Sequence, residues 1–283
     1  MKLNRAGAEL FIPDGSDESI ALGRTTHLAI GAHHDDLEIM AFHGILECFK
    51  DAERWFTGVV VTNGSGSARS GAYADYTDEQ MIDVRKQEQK KAAEIGRYSA
   101  QFLLQYPSSS VKSAAKADAS NEILEVLIAT RPRIVYTHNF ADKHDTHVGV
   151  ARNVIDAIRR MPAGERPEYV YGCEVWRNLD WMLDSDKVAL DISGNEKLHE
   201  QLLVVFDSQI SGGKHYDLAT LGRSRANATY HESHGVDATT GLTFAMDLRP
   251  LIADPALDIS EYTLGFVTRL RDDVASRIKR VSD

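Results

Sequence analysis

The chain has 283 residues, 43% hydrophobic and 26% charged, enough for one large domain that buries its core without disulfides. A net charge of −10 repels phosphate backbones and excludes nucleic acid as an expected partner. Cys48 and Cys173 lie outside any C-x-x-C pair, and neither a signal peptide nor a membrane span is read, so a reduced, cytoplasmic protein with no membrane partner is expected.

His27 to Ala32 is a short apolar run that predicts a buried strand. Ile39, Phe42, Leu46 and Phe49 follow at helical spacing, and Phe56 to Thr62 is the next β-branched run. It stops at the loop signal Asn63-Gly64-Ser65-Gly66-Ser67. Asp78 to Ile95 predicts a long polar helix ending at Gly96 as its C′ residue. Gln101 to Gln105 is strand-like, and Ser120 is placed to cap a helix through Ala129. Arg133 to Thr137 predicts a strand, and Val150, Val154 and Ile158 mark the apolar stripe of a helix from His147. Alternation of strand and helix about four times predicts an α/β fold, a Rossmann-like, mostly parallel sheet with helices on both faces.

The rest is less regular. Glu168 to Val175 and Leu242 to Leu248 are strand-like, while Leu198 to Ile210, Leu218 to His231 and Ile259 to Val281 are helix-like. The expected organisation is a core over residues 1–165 and a smaller, irregular C-terminal part over 166–283 that completes the same domain and its pocket.

Two segments carry chemistry. His33-His34-Asp35-Asp36-Leu37-Glu38 follows the first strand, at the edge where open α/β sheets bind ligands. His138 to His147 follows the strand Arg133 to Thr137 and opens the next helix. One such cluster is compatible with a helix cap and solvated acids. Two at the same predicted sheet edge supply the imidazole and carboxylate donors of a divalent-metal site.

These segments resemble signatures of the PIG-L, or LmbE-like, de-N-acetylase family. AHHDDLE at 32–38 is similar to A-H-P-D-D-x-E, and HDTH at 144–147 is similar to H-P-D-H. Arg85 and Glu88, followed by Ala92, Ile95 and Gly96, resemble the family's R-x-x-E helix, and Thr62 to Arg69 resembles its glycine-rich loop. The resemblance covers about residues 26 to 155 and continues weakly into Phe206-Asp207-Ser208-Gln209. It implies that His33, Asp36 and His147 bind the metal, that Asp35 is the general base, and that His144 stabilises or protonates the reacting centre. The implied cofactor is Zn2+, with Fe2+ or another divalent ion equally suited to the donors. The implied reaction is hydrolysis of the amide of a small N-acetylated amino sugar to free amine and acetate, and homo-oligomers fit the family's habit. His34 stands where the family has proline, and Ser65 where it has glutamate. Thr146 stands where the family has its orienting aspartate, so Asp145 is expected to take that task or His144 is held otherwise.

Other residues leave two readings open. Arg69 either binds substrate or is a surface arginine, and Arg85 either binds substrate or pairs with Glu88 or another acid. Trp176 either stacks on a sugar ring or packs in the core. Glu38 either backs a metal-binding histidine or is a first-turn helix acid. His138 is a further candidate to support a ligand, and Gly212 to Tyr216 could form a substrate-facing loop. Two functions of other classes share the donor set: a mononuclear non-haem iron oxygenase, which ordinarily shows H-x-D/E in a β-rich chain, and a non-catalytic metal- or sugar-binding module.

Overall fold

In a computed structural model, which describes residues 1–113 and 117–282, eight strands form one sheet. They are β1 (Glu9–Phe11), β2 (His27–Gly31), β3 (Phe56–Thr62), β4 (Ala100–Tyr106), β5 (Ile134–His138), β6 (Tyr169–Cys173), β7 (Val188–Asp191) and β8 (Leu242–Asp247). Their order is β1-β4-β3-β2-β5-β6-β8-β7. Strands β4, β3, β2, β5 and β6 run parallel; β1, β8 and β7 join antiparallel. This is the expected α/β, Rossmann-like arrangement, and strands from both halves of the chain share the sheet.

β2 and β3 are buried along their whole length, which is why they read as unbroken apolar runs and not as alternations. Successive β2 residues nonetheless feed opposite faces. Leu28 and Ile30 join a core with Phe102, Val135 and Val154, while Ala29 joins one with Val60, Leu103 and Tyr136. The chain leaves β2 for β3 and β4, then returns to lay β5 on the other side of β2. The crevice at such a switch point lies outside the carboxyl ends of β2 and β5. Those ends are Gly31 and His138, where the two polar clusters begin.

Several elements differ from the sequence reading. The expected helix Leu198 to Ile210 is two, Glu196–Leu203 and Asp207–Ile210, broken at Val204 to Phe206. Ser120 lies inside the helix Asp118–Thr130 and caps nothing; its hydroxyl donates to Asp156. Gly96 is right-handed at φ −76°, and Arg97 takes the positive φ of 55°. Gly96 serves a close approach instead, since a Cβ there would lie 2.4 Å from the Tyr98 ring. No helix among the described residues is long and apolar enough to cross a membrane.

Candidate active site

After β2, residues 32–35 turn sharply into the short helix Asp36–Met40. Asp35 caps that helix at φ 92°, a left-handed conformation that costs a non-glycine residue about 1–3 kcal/mol and is typical of functional sites. After β5, two side-chain-closed turns follow: Asn139 accepts from the Ala141 N–H (2.9 Å) and Asp142 from the His144 N–H (3.0 Å). His144 then caps the helix Asp145–Arg160, its Nδ1 accepting from the Thr146 N–H at 3.3 Å.

The two turns meet. His33 Nδ1 lies 3.1 Å from His147 Nε2 and 3.4 Å from Asp36 Oδ2, and His147 Nε2 lies 3.5 Å from Asp36 Oδ1. One ring can donate its N–H to the other across the His33–His147 contact, and Asp36 Oδ2 also accepts the His33 backbone N–H at 2.6 Å, so three donor groups border one small polar space that a proton or a cation can fill. Donor bonds of about 2.0–2.1 Å to a tetrahedral ion put neighbouring donors about 3.3–3.4 Å apart; the separations here are close to that, with Asp36 presenting Oδ2 to His33 and Oδ1 to His147, and the groups whose single donor atoms all lie within 4.8 Å of one another are His33, His144 and His147, and Asp36, His138 and His147. Two neighbouring histidines are less suited to join it. His138 Nε2 lies 3.4 Å from Asp36 Oδ2 but already accepts the Ala32 N–H at 2.9 Å, committing its lone pair. Acceptance from Thr146 leaves His144 with its proton on Nε2.

The electrostatics separate two adjacent carboxyls. Burial pushes Asp36 upward, but His147, His138 and the hydrogen bonds around it outweigh this and hold it well below the usual carboxylate range. Asp35 is pushed up to about 6, by burial first; Arg85 opposes the shift and Asp36 adds to it. Asp36 is therefore a fixed anion and Asp35 a base poised near neutrality. His144 is lowered by burial and by its neighbours His147 and His33, so neutral imidazole is its resting form. Burial pulls His147 down, yet Asp36 and Asp142 together raise it.

Asp35 is held in place. Arg85 Nη2 donates to its Oδ2 at 2.9 Å and also to the His34 carbonyl, while Nη1 donates to Glu88 (3.1 Å) and Ser208 (3.3 Å). Arg85 borders the cavity, but both its Nη atoms are engaged by the protein, Glu88 among their partners, which is the structural alternative left open by the sequence; its buried Nε has no partner among the described residues. Gln89 Oε1 takes the Asp35 N–H at 3.3 Å, and its Nε2 donates to Glu38 Oε1 at 2.8 Å. Glu38 thus backs Asp35 through Gln89, rather than supporting a metal-binding histidine or lying solvated in the first turn. It is wholly buried, also accepts from Tyr98 Oη at 2.7 Å, and is pushed up to about 8 by burial. An acid that keeps its proton in the fold above its unfolded value of about 4.3 weakens the fold as pH rises between the two values. Glu38→Gln is expected to flatten the loss of stability between pH 5 and pH 8, read by urea unfolding at both pH values.

His33, Asp35, Asp36 and His144 open onto a cavity of about 490 Å³. Trp176 lines it, 37% exposed, with its ring 6.5 Å from that of His144. Arg69 does not line it: its guanidinium donates to Asp78 and to the Ser65 carbonyl (2.9 Å), tying the Gly/Ser loop to the helix behind it. Asp145 is exposed at the start of its helix, and no side-chain bond from it to His144 is found among the described residues. The carboxylate beneath the second cluster is Asp142, whose Oδ2 lies 3.4 Å from His147 Nδ1 and accepts the Trp176 N–H at 3.1 Å. The sequence reading missed it, and missed Lys112, Thr220 and Arg223 in the cavity wall. The segment 212–216 does reach the cavity, through Lys214 and Tyr216, and Gln209 of the Phe206-Asp207-Ser208-Gln209 segment joins them.

Residues 28–158 match the PIG-L family, described as GlcNAc-PI de-N-acetylase. This segment is a PIG-L family domain. N,N'-diacetylchitobiose deacetylase from Pyrococcus horikoshii is similar over 82% of this chain and 88% of its own, at 14% identity and a TM-score of 0.59. The A40926 pseudoaglycone deacetylase is similar over 79% of this chain and 97% of its own, at 15% identity and 0.58. The 4-carboxy-2-hydroxymuconate hydratase from Pseudomonas putida KT2440 is similar over 79% and 95%, at 17% identity and 0.61. At these identities the likeness establishes the fold alone, and one fold carries two chemistries. The reaction class comes from the PIG-L match: the chain is an amide hydrolase of the de-N-acetylase type.

Proposed function

We propose that this PIG-L protein uses a divalent cation to hydrolyse the amide of an N-acetylated amino sugar that also carries an anionic substituent. The observation that carries the reading is the convergence of His33 Nδ1, His147 Nε2 and the Asp36 carboxylate within 3.1–3.5 Å, with Asp35 on the same cavity wall. His33, Asp36 and His147 would hold the ion. A divalent cation there supplies Lewis acidity to the acyl carbonyl and lowers the pKa of water. Asp35 takes the proton of the attacking water, and being near neutrality it can return that proton to the departing amine nitrogen. The neutral His144 donates its Nε2–H to the oxyanion as the carbonyl becomes tetrahedral. Trp176 and Tyr216, ring centroids 6.0 Å apart and edge to face, offer a surface for a sugar ring.

Charge in the cavity wall supports the anionic substituent. Lys112 and Lys214 line it, and neither has a carboxylate partner among the described residues of a chain whose net charge is −10. N-acetylglucosamine phosphates are expected to show a kcat/KM about fivefold above the neutral sugar, the factor that about 1 kcal/mol of exposed charge pairing supplies. The advantage should shrink with added salt and vanish in Lys112→Met/Lys214→Met. The deciding assay is release of primary amine from these sugars by metal-loaded and chelator-treated protein. Release undiminished by chelation would overturn the metal dependence, and no release from any N-acetyl sugar would overturn the substrate class.

A further inference from the structure

We propose that Arg223 is a specificity-determining residue of this site, reading two adjacent hydroxyls of the sugar ring, those at C3 and C4, through the paired N–H edge of its guanidinium; this rests on the amino-sugar reading of the site. The helix Tyr216–Tyr230 lays Tyr216, Ala219, Thr220 and Arg223 along the cavity. Steps of 3, 1 and 3 residues put all four on one helical face. Tyr216, whose ring meets Trp176, and Arg223 stand about 10 Å apart along the axis, with Ala219, the smallest side chain of the face, between them. Arg223 and Thr220 also separate the cavity from a small recess walled by Glu174, His199 and Asn227.

The guanidinium is anchored but not consumed. Arg223 is half-buried and makes one protein bond among the described residues, from Nη1 to the Val175 carbonyl. That bond fixes the group and leaves Nε–H and Nη2–H, which project together from the other edge of the same plane. Neither of these atoms is a buried one, so the free edge is accessible where Arg223 lines the cavity. In a 2-acetamido sugar, C2 carries the nitrogen and C1 the glycosidic or phosphate oxygen. C3 and C4 therefore hold the pair of adjacent free hydroxyls on the ring, two acceptors for two parallel donors.

Charge selects hydroxyls over an anion at this end of the cavity. Glu174 is buried behind Arg223: its Oε1 accepts the Leu179 N–H at 2.6 Å, and its Oε2 accepts the Phe244 N–H at 2.9 Å and Asn227 Nδ2 at 3.0 Å. Both oxygens accept, the pattern that suits an ionised carboxylate. Burial pushes this acid up, while the two N–H bonds and the charge of Arg223 pull it down. An anion behind the guanidinium offsets much of its charge, so the wall there is close to neutral and suits a neutral acceptor. A second anion brought beside Glu174 would meet like charge. Lys112 and Lys214 are exposed and have no such neighbour among the described residues, so the anionic substituent and the ring hydroxyls are read at different places.

Amine release from N-acetylglucosamine 1-phosphate and from its 3-deoxy and 4-deoxy analogues tests this in the wild type, Arg223→Met and Arg223→Lys. Loss of a hydrogen bond to a charged donor is expected to lower wild-type kcat/KM about 10–100-fold for each deoxy sugar. Arg223→Met is expected to lose at least that factor on the parent sugar and then to treat all three nearly alike. Arg223→Lys keeps a charge over Glu174 and guards against a folding defect; without the paired edge it is expected to discriminate at no more than one of the two positions. The preference for the phosphate over the neutral sugar is expected to persist in Arg223→Met. Deoxy sugars that cost the wild type nothing, or cost Arg223→Met as much as the wild type, overturn the assignment. So does Arg223→Lys with wild-type ratios at both positions, or Arg223→Met without the phosphate preference, since the residue would then read the anion. Each of these outcomes leaves the amino-sugar reading standing, whereas no amine from any N-acetyl sugar overturns both.

Discussion

Asp35→Asn is expected to lower kcat by about 10²–10⁴-fold, the usual worth of a positioned general base, while metal content stays at the wild-type level. The substitution is conservative in every respect but one. Asparagine tolerates the left-handed backbone that Asp35 adopts at φ 92°, so the turn that aims His33 and Asp36 is preserved. Its side-chain oxygen can still accept from Arg85, and its N–H can still reach Gln89 Oε1. It cannot take a proton from water. The pH profile gives a second reading of the same group. With Asp35 pushed up to about 6, kcat/KM of the wild type should rise through that pH as the carboxylate ionises, and the limb should be missing from the residual activity of the variant. A bound cation adjusts where the limb sits without removing it. A variant turning over within a few-fold of the wild type would move the base elsewhere.

How much of this was legible in the sequence follows from the sheet. The two His/Asp clusters could be placed on one edge because each follows an apolar strand, and parallel strands end on the same side. That β2 and β5 are direct neighbours is a matter of strand order, which residue spacing does not encode. The short edge strands β1 and β7, three and four residues long, carry too few side chains to show a period, and both escaped the sequence reading. The same limit hid the cavity wall. Lys112 lies far along the chain from Lys214 and Arg223, and only the closing of the C-terminal part over the sheet edge brings them together. Arg69 misled for a related reason: a cation in a glycine-rich loop suggests a ligand, and here Asp78 at the start of the next helix takes it.

Asp142 is the instructive omission, and it carries the second large prediction: Asp142→Asn is expected to weaken metal binding about 10–100-fold, the range seen when the carboxylate behind a metal-binding histidine is lost. Analogy of position pointed to Asp145, beside Thr146. A residue at the first turn of a helix points about 100° away from its neighbour, and Asp145 accordingly faces solvent, while Asp142 in the preceding loop lies under His147. Both its oxygens are acceptors. Oδ1 takes the His144 N–H, and Oδ2 takes the Trp176 N–H and lies 3.4 Å from His147 Nδ1. An amide can replace only one of these oxygens, so asparagine sets its NH2 against a backbone donor in either orientation. With the NH2 towards His147 it also favours the tautomer that puts the histidine proton on Nε2, the atom facing His33 and Asp36. Titration with Zn2+ against a chromogenic chelator should show the loss in Asp142→Asn and none in Asp145→Asn. The reverse pattern would return the supporting role to the helix residue and leave His147 oriented by packing against His138, whose ring stacks on it at 3.9 Å.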